Sequence, residues 1–156
     1  MRGLATVIIL VFLVVFLSCK KDTSATDQKS LASSIIGTWE LRQTSAAMNP
    51  LATNYAPGNG NLLRFTEDKK YEVYRNGNLT KRGSYAIAED TSVEQNVCLV
   101  FPDGMFSNRI DYQDSVLVFK QFIQVDADTL TIVAGCYAID AGHQAKYLRQ
   151  DKVVQF

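Results

Sequence analysis

The stretch Tyr71-Glu72-Val73-Tyr74-Arg75-Asn76-Gly77-Asn78-Leu79-Thr80-Lys81-Arg82-Gly83-Ser84-Tyr85-Ala86-Ile87 consists of two alternating runs either side of Asn76-Gly77. Period 2 places Tyr71 with Val73 and Tyr85 with Ile87, one face of each run being apolar. Asn-Gly between such runs is the strongest short-range hairpin signal. A type I′ turn needs positive φ at both central residues, and these two residue types reach it most easily. Residues 71–87 therefore predict an antiparallel hairpin.

The same pattern extends in both directions. Strands are expected over Gly37–Thr44, Asn61–Thr66, Val97–Phe101, Val116–Val125, Thr129–Val133 and Ala145–Val154, with Asp126-Ala127-Asp128 as a turn. No helix-period segment exceeds two or three turns, and the one candidate is Asp27–Ile36, which Asp27 or Ser30 could cap. Pro50, Pro57 and Pro102 all fall between strands, as a sheet requires. Roughly eight or nine strands in about 123 residues suggest a sandwich or a barrel. Two connections stand out, Ala46–Gly60 and Asp103–Asp114, and loops of this length in a compact domain are often functional.

The chain of 156 residues carries 16 basic and 16 acidic side chains. That balance supplies no basic field for nucleic acid. Its 47% apolar content is unevenly spread, with 14 apolar residues in the first 18. Leu4–Leu17 is apolar except for Thr6, and spans about 21 Å as a helix, short of the ~30 Å hydrocarbon core. A charged start at Arg2, a short apolar run and small Ser18 describe a secretory signal peptide. Leu17-Ser18-Cys19 resembles the lipobox of bacterial lipoproteins, with Phe16 where the usual box has Leu. That resemblance implies cleavage before Cys19 and its acylation, palmitate included. Residues 20–30 contain a single apolar residue, Ala25, and cannot offset the entropy of ordering. The expected organisation is a signal peptide over 1–18, a lipidated flexible tether over 19–30 and a β-domain over 31–156. Cys19-Lys20-Lys21-Asp22 is similar to the start of many Bacteroidetes lipoproteins, which implies the cell envelope, with the outer membrane reached through the N-terminal lipid.

Ile35-Ile36-Gly37-Thr38-Trp39-Glu40-Leu41 resembles the opening strand of the lipocalins and related calycins, whose mark is Gly-x-Trp after a short helical turn. The resemblance implies a compact antiparallel up-and-down β-barrel. It also implies that Trp39 plugs the closed end and that Arg149, on the last strand, packs over the indole as a barrel-end structural pair. A guanidinium so placed is worth about 0.5–2 kcal/mol. Leu63–Tyr71 and Gly83–Ile87 are similar to lipocalin-like domains of Bacteroidetes lipoproteins, and Ala46–Gly60 matches the lid over a lipocalin's open end. Against the family pattern, the domain is short and lacks a long helix near its C-terminus.

Residues able to carry chemistry are few. His143 is the only histidine, expected in a loop, and a zinc site or histidine triad needs partners at defined spacing. Asp126 and Asp128 lack the ligand series of a calcium loop. No phosphate loop or nucleophile elbow occurs. The expectation is therefore no enzyme, no metal and no cofactor. With Cys19 lipidated, Cys98 and Cys136 form an even pair that could bridge outside the cytoplasm or remain as buried thiols. Phe65, Tyr71, Tyr85, Phe119 and Tyr147 are the candidate ligand-lining aromatics. In a barrel of about eight strands such faces either fill the core or line a small cavity. The first alternative predicts a structural or protein-interaction module. The second predicts binding of a small apolar or amphipathic ligand at a mouth between the Ala46–Gly60 and Asp103–Asp114 loops.

Overall fold

The computed structural model describes residues 31–114 and 118–150. The expected signal peptide, Cys19 and the expected tether lie outside them, as do residues 116–117 of one expected strand and 151–154 of another. Among the described residues are nine strands: β1 (Gly37–Ala46), β2 (Asn49–Asn54), β3 (Leu62–Phe65), β4 (Lys70–Arg75), β5 (Asn78–Glu89), β6 (Asn108–Tyr112), β7 (Gln121–Asp126), β8 (Thr129–Ala134) and β9 (His143–Arg149). All pairings are antiparallel, and β9 returns to β1. Eight strands thus close an up-and-down barrel. The ninth, β2, continues the wall: the first half of β1 pairs with β3 and its second half with β2. Closure removes the unpaired edges that an open sheet would expose.

Local chemistry accounts for the punctuation. Asn76 and Gly77 have φ of 51° and 80°, the two positive values that a type I′ turn needs. Residues 31–34 form a helical turn, the described part of the Asp27–Ile36 expectation. Four expectations require correction. Val97–Phe101 is not a strand, because Val97 ends a short helix, α1 (Val93–Val97), and Cys98 leaves it in the left-handed region at φ 60°. Val97 instead joins an outer layer in which Val93, Val97 and Phe106 bury against Phe122 and Val133, with Phe101 packed on it. The Ala46–Gly60 loop contains β2, and Asp103–Asp114 contains β6. His143 begins β9 and is not in a loop.

Cys98 and Cys136 are bridged, with Cα atoms 5.0 Å apart, so the end of α1 is tied to the segment after β8. Cys98 occupies a helix end and not the strand expected for it. Beside this layer the Asp90 carboxylate accepts hydrogen bonds from Ser92, Arg109 and Lys120. Burial opposes its ionisation, but the bonds from Lys120 and Ser92 prevail and hold the carboxyl well below the usual range.

One end of the barrel is packed solid. Trp39 and Arg149 are direct cross-strand partners on β1 and β9, and the guanidinium carbon lies 4.1 Å from the indole centroid. The indole Nε1 donates to the Ile35 carbonyl at 2.7 Å. Arg149 Nη1 and Nη2 donate to the carbonyls of Ile36 and Ser34 at 2.8 and 2.6 Å. These bonds satisfy carbonyls at the end of the helical turn, which otherwise lack intrahelical partners. Gly37 makes the approach possible, since a Cβ there would stand 2.8 Å from Arg149 Nη1, and its φ of 137° is one that side chains rarely adopt. Above Trp39 lie Phe65 and Tyr85, edge to face with centroids 4.9 Å apart.

Replacing Arg149 with Met should leave two carbonyls unpaired and remove the cation–π contact, costing about 3 kcal/mol. Arg149→Lys should recover only part, because an ammonium lacks the planar fork. Urea denaturation followed by the fluorescence of Trp39, the sole tryptophan, measures both, and equal stability of Met variant and parent would remove Arg149 from its place as keystone.

Candidate functional site

Up-and-down order sends alternate connections to opposite ends. The β1–β2, β4–β5, β6–β7 and β8–β9 connections share the end opposite Trp39. Inside that end is a cavity of about 440 Å³. It exists because the inward residues change size along the strands. Trp39, Phe65 and Tyr85 fill the closed half, whereas Thr44, Val73 and Ala145 line the open half. The apolar walls come from Leu41, Leu63, Val73 and Ile132, and the hairpin strand β2 adds Asn49, Leu51 and Thr53 at the rim.

Three tyrosines line the cavity from separate strands: Tyr71, Tyr112 and Tyr147. Tyr71 and Tyr112 are tilted against each other with centroids 4.5 Å apart. Tyr71 Oη donates to Asp114 Oδ2 at 3.1 Å. Burial, this hydrogen bond and the Asp114 charge together push its hydroxyl up to about 12. Burial raises Tyr112 well beyond the ordinary tyrosine range, with the neighbouring Tyr147, Tyr71 and Tyr85 adding to it. Tyr147 is raised too, chiefly by burial, against which the positive charge of Arg75 pulls. All three hydroxyls are therefore neutral at ordinary pH.

The charged side chains of the lining are Arg75 and Lys81, His143 also lines it, and no Asp or Glu does. Lys81 Nζ stands 5.8 Å from the Tyr71 ring centroid. Large exposed apolar residues gather at the same end: Met48, Leu51, Leu79, Val118, Phe119 and Ile139. Among the described residues no group of three or more His, Cys, Asp or Glu could hold a metal ion, and no helix is long and apolar enough to cross a membrane.

The structure divides the five candidate aromatics. Tyr71 and Tyr147 line the cavity. Phe65 and Tyr85 do not: they are core, 1% and 4% exposed, packed edge to face against each other. Phe119 is not inward at all. It sits in a bend before β7 and is 40% exposed, so the period-2 reading that joined it to Ile123 extends past the strand. Tyr112 was missed because it fell in a segment read as loop. Its alternation with Ile110, in Ile110-Asp111-Tyr112, was the available signal. The mouth also needs correction. The β1–β2 hairpin does flank it, but residues 103–107 do not line it, and Phe106 belongs to the outer layer.

No protein-family model, curated protein or solved structure significantly matches the chain.

Tyr71 titrates near 10 in an unfolded chain and near 12 when folded, so the folded state retains the proton across that interval. Its contribution is intact below pH 10 and is lost as the pH rises to 12. The Tyr71→Phe variant should therefore lose less stability between pH 10 and 12 than the parent. Denaturation series at stepped pH measure this, and parallel pH profiles would show that Tyr71 ionises as an ordinary exposed tyrosine.

Proposed function

We propose that this chain is an outer-membrane lipoprotein, acylated at Cys19, whose lipocalin-like barrel binds a small apolar or amphipathic ligand at its open mouth. The observation that carries the binding reading is the cavity of about 440 Å³. Ligand sites commonly run from about 300 to 1,000 Å³, with apolar walls and a few polar groups that orient the ligand. Here Leu63, Val73 and Ile132 supply the walls, and Asn49, Asn61 and Gln121 supply polar groups. The likeness to lipocalins is supported by Gly37-Thr38-Trp39 after a helical turn, by Arg149 over the indole and by the up-and-down strand order. The anchor is supported by Leu17-Ser18-Cys19 and the polar stretch after it. On this reading the barrel holds and releases a ligand without transforming it.

A second reading, a non-enzymatic protein-interaction module, is favoured by the apolar residues exposed around the mouth, Met48, Val118 and Phe119 among them. It shares the anchor but makes no use of the cavity.

Titration with a neutral naphthylamine dye separates the two readings. Saturable binding of about one dye per chain is expected, and Val73→Trp, which places an indole in the cavity, should abolish it. Absence of saturable binding by a folded protein, or undiminished binding by the Val73→Trp variant, would overturn the cavity reading. The anchor is tested independently of the cavity. Cys19→Ala should move the protein from the membrane pellet to the soluble periplasmic fraction, and unchanged pelleting would refute lipidation there.

A further inference from the structure

We propose that the cavity selects anionic amphipaths, chains whose single carboxylate sits at the mouth between Arg75 and Lys81 while the tail lies against Leu63, Val73 and Ile132. This rests on the ligand-binding reading above and specifies the class of ligand. Both cations reach the cavity from adjacent strands. Arg75 is two residues beyond Val73 on β4 and shares its inward face, and Lys81 on β5 is the cross-strand partner of Val73.

The second placement depends on an irregularity. The β4–β5 register slips between Val73 and Tyr74, so that Tyr74 faces Leu79 but Val73 faces Lys81. In a regular ladder Thr80 would stand opposite Val73. The extra residue is Thr80, whose Oγ1 donates instead to the Val73 carbonyl at 3.0 Å. A bulge of this kind re-aims a side chain, and here it brings an ammonium to the inner face beside a guanidinium. Tyr74 and Glu72 face the other way and bond to each other at 2.9 Å.

Nothing in the lining balances these charges. Arg75 and Lys81 form no ion pair with a described residue, although acids elsewhere on the barrel are paired. The Asp114 carboxylate stands over Gly83, two residues from Lys81 on the same strand, but it accepts the Tyr71 hydroxyl, is not part of the cavity lining and forms no ion pair with Arg75 or Lys81. Two cations without an ion-pair partner over an apolar shaft form a site for one anionic head and one apolar tail. A neutral chain would gain the shaft but leave the cations unpartnered, and a cationic chain would meet like charge.

The test compares three ligands of equal chain length on the wild-type protein at neutral pH and low ionic strength: dodecanoate, dodecanol and dodecyltrimethylammonium, each displacing the neutral dye. Dodecanoate should bind about tenfold more tightly than dodecanol, the ammonium more weakly than either, and added salt should narrow the gap. In the Arg75→Gln/Lys81→Gln double variant the advantage of the acid over the alcohol should disappear, so that the two bind alike. Equal affinities for acid and alcohol in the wild type overturn the charge selection while leaving the ligand-binding reading standing. A gap that persists in a folded double variant overturns the assignment to these two residues. Failure of every ligand and of the dye removes the ligand-binding reading itself. The wild-type comparison decides the matter even if the double variant does not fold.

Discussion

The contact between Arg149 and Trp39 fixes the rest of the barrel, because it joins the first strand to the last. Pairing β9 with β1 closes the sheet, and the two residues face each other at the closing seam. Closure at this register obliges the strands to tilt and fixes which residues look inward. The guanidinium then serves two purposes at once. Its face covers the indole, and its fork ties down the helical turn through the Ser34 and Ile36 carbonyls. A Lys could supply the charge but not both functions, and any side chain at residue 37 would obstruct the approach.

From that seam the interior is graded. Trp39, Phe65 and Tyr85 pack into the core of the closed half. Toward the other end smaller residues replace them, and Tyr71 and Tyr112 form the aromatic layer below the opening. Eight strands enclose just enough space for this difference to matter, since a barrel of that size is either filled by side chains or holds one small ligand. The outside of β7 and β8 follows a separate logic. Phe122 and Val133 point away from the interior yet are buried, because α1 and Phe106 cover them and the Cys98–Cys136 bridge holds that cover in place.

This outer layer depends on contacts that no local stretch of sequence contains. Val97-Cys98-Leu99-Val100-Phe101 has the composition of a strand, and short apolar runs do not distinguish strand from helix. What decided the matter was the need to cover Phe122 and Val133, which is invisible in a local window. Phe119 illustrates the opposite error, as alternation was carried beyond the strand into a bend. Ile110 and Tyr112 were hidden because a short strand between two loops looks like part of either. The Asn76-Gly77 turn was legible because it rests on chemistry confined to two residues, whereas Trp39 and Arg149, far apart in the chain, were legible only through the resemblance to a lipocalin opening strand.

The sequence by itself determined the antiparallel all-β character and the hairpins, since turn chemistry and alternation act over a few neighbouring positions; the two residues of the closing seam followed only from the resemblance of Gly37-Thr38-Trp39 to a lipocalin opening strand. Only the tertiary structure decided that inward aromatics divide into a packed floor and an open mouth, that β2 extends the wall, and that a register slip turns Lys81 inward beside Arg75. The physical reason is that volume and charge inside a barrel are sums over strands far apart in the chain. No local pattern contains such a sum until closure brings those strands together.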